Sequence, residues 1–260
     1  MHPDRSNAPG VLLVEDNPVN QKVASRFLER MGCNVMIASN GAEAVAACRD
    51  RRFALVLMDL QMPVMDGWQA TRAIRSADGN ARHTPIVALS ANAMPDQVAQ
   101  CLNAGMDDFL SKPIDISRLR EVVALHGAAN ERLAATQTQP AIRLPTTAPI
   151  ELHQLRQLSD GDAGFMSELI ALFLDSSTSI LSEIRLAHAS SDRAAIARAA
   201  HKLKGACANV FANSFRELAS RLETDSASLS SSQLEASIIG LSLEMLRLRD
   251  FLRSTQMLAA

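Results

Sequence analysis

Four apolar runs in the first half of the chain stop at residues able to do chemistry. Phe53-Ala-Leu-Val-Leu-Met58 closes on Asp59, Val11-Leu-Leu-Val14 on Glu15-Asp16, Pro85-Ile-Val-Ala-Leu89 on Ser90, and Asp108-Phe-Leu-Ser111 on Lys112-Pro113. A carboxylate at the end of a buried strand is costly unless something there uses its charge. Strands that alternate with helices form a parallel sheet, whose ligands bind outside the carboxyl ends of the strands, so these groups should converge. Three converging carboxylates repel, and a hard cation such as magnesium, which takes oxygen ligands and keeps several waters, relieves that repulsion. Lys112 is then placed to neutralise a phosphoryl group on Asp59.

The second half offers a different nucleophile. His201-Lys202-Leu203-Lys204-Gly205 lies inside a helical pattern, where glycine costs about 1 kcal/mol relative to alanine. Steps of 100° put Ile196, Ala199, Leu203, Ala206 and Val210 on one stripe and His201 on the opposite side. That outward face also carries the small residues Ala194, Ala197, Gly205 and Ala208, with Arg198, Lys202 and Lys204 beside them. Small residues around an imidazole let another protein's surface approach, and the cations attract an anionic pocket and phosphoryl oxygens. Neutral imidazole is a competent nucleophile toward phosphorus. His2, His83, His126, His153 and His188 have no comparable surroundings in sequence.

The elements that must position these groups divide the chain in two. In the first half, helices are expected over Pro18 to Met31, stopped by Gly32, and from the box Asn40-Gly-Ala-Glu43 to about Asp50. Others are expected over about Trp68 to Ser76, Pro95 to Asn103 and Ile116 to Leu125, between five strands that include Asn34 to Ala38. The second half is helical by period, over about Glu151 to Leu158, Ala163 to His188, Arg193 to Phe211, Asn213 to Leu222 and Gln233 to Arg253. The polar stretch Thr224 to Ser232 reads as a loop. Residues 126–149, rich in Ala, Thr, Gln and Pro, read as a linker. The expected organisation is a tail (1–9), an α/β doubly wound five-stranded parallel sheet (10–125), the linker, an all-α four-helix bundle (150–253) and a tail (254–260).

A chain of 260 residues accommodates two such domains. Its net charge of −2, with both signs spread along both halves, gives no basic block for nucleic acid. Cys33, Cys48, Cys101 and Cys207 form no C-x-x-C pair and read as small core hydrophobes in a reducing compartment, without a zinc site. The N-terminus lacks the apolar stretch of a signal peptide and no run is expected to reach the length of a membrane span, so a cytoplasmic location and no membrane insertion are expected.

Residues 10 to 125 resemble the receiver domain of two-component response regulators. The likeness is carried by Glu15-Asp16-Asn17-Pro18-Val19-Asn20, by Met58-Asp59-Leu60-Gln61-Met62-Pro63-Val64-Met65-Asp66-Gly67, by Ala88-Leu89-Ser90-Ala91 and by Ala104 to Pro113, and is greatest to receivers attached to hybrid sensor kinases. It implies that Asp59 is the phosphoacceptor and that Asp16 and Asp59 bind Mg²⁺ directly. Glu15 would act through water, and Gln61 would offer its backbone carbonyl. Ser90 and Lys112 would hold phosphoryl oxygens, and Ser90 and Phe109 would form the switch, Phe109 standing where the family has an aromatic that swings. Residues 150 to 253 resemble the histidine phosphotransfer (HPt) domain through H-x-L-K-G. His201 matches its phosphorylated position and Lys204 and Gly205 the rest of the motif, while Ala206-Cys207-Ala208 departs from the commoner serine-containing continuation.

Together the resemblances imply a phosphorelay. A histidine kinase would load Asp59, Asp59 would pass the phosphoryl group to His201, and His201 would donate it to a separate response regulator, or the flow would reverse. A linker of about 24 residues has an r.m.s. span of roughly 25–30 Å, which permits transfer within one chain. An alternative makes the chain the C-terminal relay portion of a hybrid sensor histidine kinase. A phosphatase of the haloacid dehalogenase type would want a second Asp where Gln61 stands. A pure scaffold would use neither Asp59 nor His201. No ATP-binding glycine boxes are visible, so the chain is not expected to be an ATP-using enzyme.

Overall fold

The computed structural model describes residues 9–78, 84–90, 100–126, 148–255 and 257. The chain divides into two compact units, Met1–Gln137 and Thr138–Ala260.

In the first unit, β1 (Gly10–Val14), β2 (Asn34–Ala38), β3 (Leu55–Asp59), β4 (Ile86–Ser90) and β5 (Asp108–Ser111) pair in parallel in the order β2-β1-β3-β4-β5. Helices α1 (Pro18–Arg30), α2 (Gly41–Asp50), α3 (Gly67–Asp78) and α4 (Ile116–His126) connect and cover them. Strands β3 and β4 are buried at every position, as parallel strands covered on both faces must be. The order reverses between β1 and β3, the switch point where such sheets bind ligands. The register pairs Val14 with Met58, Asp59 with Leu89 and Ser90 with Ser111, so the predicted groups leave the sheet at one edge. The expected helix over Pro95 to Asn103 lies outside the described residues up to 99. Residues 100–103 are helical and Gly105, at φ +94°, ends the turn. Asn40 caps α2 by accepting from the Glu43 N–H (3.0 Å). Glu43, expected to return the bond to the Asn40 backbone, instead accepts from the Ser39 N–H (2.7 Å) and the Asn40 side chain (2.7 Å).

The second unit contains α5 (Leu152–Ser159), α6 (Ala163–Ala189), α7 (Arg193–Asn209), α8 (Asn213–Asp225) and α9 (Ser231–Ser254). Helices α6 to α9 form a bundle in which α7 and α9 each pack against α6 and α8. Phe173 of α6 meets Phe215 of α8 edge to face, centroids 6.4 Å apart. Two boundaries differ from expectation. Helix α7 stops at Asn209 because Phe211 takes φ 59°, a left-handed conformation that ends the helix. The polar stretch taken for a loop is one over residues 226–230 and shorter than expected at both ends: α8 runs on to Asp225, and Ser230 starts α9 through a capping box with Gln233. By length and composition α6 would suit a membrane span, with mean hydropathy 1.2 over its most apolar stretch, which corrects the expectation that no run reaches that length. Half of that stretch is buried inside the protein, including Leu169, Ile170, Phe173 and Ile180 of the bundle core.

Candidate functional site

The acidic site is assembled by the ends of β1 and β3 and by the chain after β5. Asn17 caps α1, its Oδ1 accepting from the Val19 N–H (2.9 Å), and this cap also fixes Glu15. Glu15 Oε1 accepts from the Asn20 side chain (2.9 Å) and the Asn17 N–H (3.2 Å). Lys112 Nζ lies 2.6 Å from Glu15 Oε2 and 2.8 Å from Asp59 Oδ2. The Lys112 N–H donates to the Ser90 carbonyl (2.7 Å), tying the lysine to the end of β4. Asp59 Oδ1 accepts from the Gln61 N–H at 3.1 Å. Gly67 allows the following loop to fold over this strand end: a Cβ there would stand 2.2 Å from the Asp59 carbonyl oxygen.

Carboxylate oxygens of Glu15, Asp16 and Asp59 lie within 4.8 Å of one another, and Glu15 and Asp59 are almost fully buried. Burial, reinforced by the Asp59 charge, pushes the Glu15 carboxyl up to about 7 against the opposing pull of Lys112. Burial also opposes the Lys112 charge, but Glu15 and Asp59 outweigh it and hold the ammonium above the ordinary lysine value. One ammonium thus serves two carboxylates with a third beside them. A hard divalent cation suits this all-oxygen set.

Ser90 is buried at the end of β4, one step beyond the Asp59–Leu89 pairing. Phe109 is half-buried against the core on β5, and its N–H donates to Asp108 Oδ1 (2.8 Å). Gln61 is exposed, held through its N–H as given above. Glu15, Asp16, Asp59 and Lys112 are therefore in one cluster, with Ser90 at its rim.

His201 is not the freely projecting group that helical stepping suggested. Its side chain is 19% exposed, and Nδ1 lies 2.7 Å from Glu223 Oε1 of α8. Glu223 Oε2 in turn lies 2.6 Å from Lys204 Nζ, so the lysine expected to be open to phosphoryl oxygens is paired in this state. The stepping argument assumes one buried direction, whereas α7 packs against both α6 and α8, and Ala200 and Cys207 are buried beside the predicted stripe. Burial raises the Glu223 carboxyl, but the hydrogen bonds with His201 and Lys204 outweigh it and lower it below the ordinary value. An ionised carboxylate can only accept, so Nδ1 carries the hydrogen and the lone pair of the neutral ring sits on Nε2. Glu223 was missed in the sequence because nothing local marks it. Its signal is its place next to Leu222 on the helix that faces the H-x-L-K-G turn. Around this site Ala194 and Arg198 are exposed, and Ala197, Lys202, Gly205 and Ala208 are half-buried.

Comparison with known proteins agrees with both halves. The response regulator receiver domain matches residues 11–124 and the Hpt domain residues 168–255. The chain belongs to these two families: it is a receiver domain followed by an Hpt domain, and both are phosphotransfer signalling modules. Sensor protein GacS of Pseudomonas syringae pv. syringae is 38% identical over 226 residues, covering 85% of this chain and 25% of that protein. Sensor histidine kinase AruS of Pseudomonas aeruginosa is 37% identical over 199 residues, covering 76% of this chain and 19% of that protein. The chain thus spans a quarter or less of the length of these relatives. Among solved structures, the receiver domain of a sensor histidine kinase from Pseudomonas aeruginosa PAO1, with a magnesium ion in its active-site cleft, is 42% identical with a TM-score of 0.43. It covers 46% of this chain and 97% of that one.

Proposed function

We propose that the chain is a two-station phosphorelay in which Asp59 accepts a phosphoryl group from a kinase histidine and His201 relays it to a separate response regulator. The observation that carries this reading is the presence in one chain of a carboxylate held by Lys112 and an imidazole held with its lone pair on Nε2. In the first step an Asp59 oxygen attacks phosphorus while the P–N bond to the donor imidazole breaks. In the second, His201 Nε2 attacks, the P–O bond breaks and Asp59 leaves as carboxylate. Each step exchanges one reactive phosphoryl linkage for another, so catalysis is positioning and electrostatics. Lys112 neutralises phosphoryl oxygens at Asp59, with the Ser90 hydroxyl at the rim. Lys204 does so at His201, exchanging its Glu223 partner for the phosphoryl group.

A magnesium ion held by Asp16, Asp59 and the Gln61 carbonyl, with Glu15 acting through water, would supply further positive charge to the phosphoryl oxygens. Ser90 and Phe109 would report occupancy of Asp59. Ala194, Ala197, Arg198, Lys202, Gly205 and Ala208 would form the floor on which a receiver docks at His201. The similarity to sensor kinases favours a second, compatible reading, in which this is the relay portion of a hybrid sensor histidine kinase working in the cytoplasm.

Transfer within one chain is the expected route from Asp59 to His201. Mixing a His201→Gln chain phosphorylated at Asp59 with an unphosphorylated Asp59→Asn chain should give slower transfer than the intact chain, because the effective concentration supplied by the linker is lost. Equal rates would sink the intramolecular route, and no transfer to His201 under any pairing would sink the relay.

A further inference from the structure

Helix α9 has a second apolar face that the bundle does not use. Its inner face buries Leu234, Ile238, Leu241, Met245, Leu248 and Leu252. On the outer face Ala236, Ile239, Leu243 and Leu246 alternate three and four residues apart and are exposed, the last three by 53%, 61% and 55%. That alternation is the seam of a helix pair. Gly240 stands midway along this face at its edge, and a Cβ there would meet nothing within 4 Å. The bundle therefore has no use for a glycine, the poorest helix former after proline, at this position. A second backbone drawn close to the face does.

We propose that this face docks a second copy of the chain, with the two α9 helices antiparallel about a two-fold axis at the level of Leu241. In that register Ile239 stands across from Leu243 of the other copy and Ala236 across from Leu246, while along one flank Glu235 comes beside Arg249, each pairing made twice. Glu235 is exposed and Arg249 half-buried, and they lie at opposite ends of the stripe on the same side of it. The sequence of this face is thus complementary to its own reverse in both shape and charge. A parallel pair would set Glu235 beside Gly240 of the other copy and leave it without a cation. Gly240 meets Gly240 of the other copy near the axis, where small residues let the helices approach. The stripe contains no residue of α7, so pairing leaves His201 to its phosphoryl partners.

Sedimentation of the full chain over a concentration series tests this. A concentration-dependent dimer is expected, weakened about tenfold or more by Leu243→Glu, with far-UV circular dichroism and phosphorylation of His201 retained. Mixed Ile239→Cys and Leu243→Cys chains should form disulfide-linked heterodimers faster than either forms homodimers. Gly240→Ala should raise the thermal midpoint of the dilute protein while weakening the dimer, a pair of opposite signs that a merely structural glycine would not give. Monomer throughout the series would overturn the proposal. So would Ile239→Cys chains linking to themselves as fast as the mixture, or a Leu243→Cys thiol shielded from reagent equally at every concentration, which would show that the same chain covers the face.

Discussion

Replacing Glu223 tests how the bundle would activate His201 in the proposed relay. As Nε2 bonds to phosphorus the ring becomes cationic, so the Glu223 carboxylate 2.7 Å from Nδ1 interacts more strongly with the transition state than with the ground state. A hydrogen bond to a charged group contributes about 1.5–3 kcal/mol. If that interaction is made mainly in the transition state, Glu223→Ala should slow transfer to His201 by roughly 10- to 150-fold. Glu223→Gln keeps an acceptor for the Nδ1–H without the charge and should fall between wild type and alanine, at roughly 5- to 10-fold. The assay is rapid-quench transfer from phosphorylated Asp59, scored as phosphate that survives alkali. Nitrogen NMR of the ring reads the tautomer directly. A Glu223→Ala rate within about twofold of wild type, or a neutral ring protonated on Nε2, would refute the reasoning. The same pair sets a pH window. Because the folded Glu223 carboxyl titrates below its ordinary value of 4.5, the stability it contributes is present above that value and lost as pH falls through the lower folded one.

Two further outcomes follow from the acidic site. Magnesium at about 100 times its Kd should raise the unfolding free energy of the receiver by about 2.7 kcal/mol, seen as an upward shift of the thermal midpoint. Asp16→Asn should remove most of that shift, and an undiminished shift would take Asp16 out of the ligand set. Gly67→Ala, whose Cβ would stand 2.2 Å from the Asp59 carbonyl oxygen, should destabilise the receiver by about 3 kcal/mol or more. An unchanged denaturant midpoint would show that the loop has room to move.

The receiver site was legible in sequence because its groups sit at strand ends. In a parallel sheet every strand end delivers its next residue to the same edge, so Asp59, Glu15, Asp16, Ser90 and Lys112 could be placed together from the β-α alternation alone. What the strands do not encode is the support. Asn20 holds Glu15 because α1 begins where it does, and Gly67 touches Asp59 because the loop between them folds back. The bundle was less legible, since a helical period reports one buried direction while a bundle helix has two neighbours. Ile196, Leu203 and Val210 were placed in the core, yet the partner of His201 came from another helix through tertiary packing. The polar run beginning at Thr224 looked like a loop because serines and aspartates compete with helical hydrogen bonds. It hid both the last turn of α8 and the cap of α9.

The two proposed stations would solve one electrostatic problem in the same way. A phosphoryl group brings about two negative charges to a site that must also work without it. At Asp59 the resting ammonium of Lys112 is held by Glu15 and Asp59, and at His201 that of Lys204 is held by Glu223, with N···O distances of 2.6–2.8 Å. Neither lysine has to be drawn from solvent when phosphate arrives, and neither leaves a buried cation unpaired when it departs. On the proposed relay, arrival would exchange a carboxylate partner for a phosphoryl one, and the balance of that exchange would set how far each station holds its cargo. On this account Glu223 does two opposing things. It makes His201 a better nucleophile and competes with the phosphoryl group for Lys204. Its removal should therefore slow the forward step while strengthening the Lys204 contact to phosphohistidine once formed, a combination expected of a relay point rather than of a store.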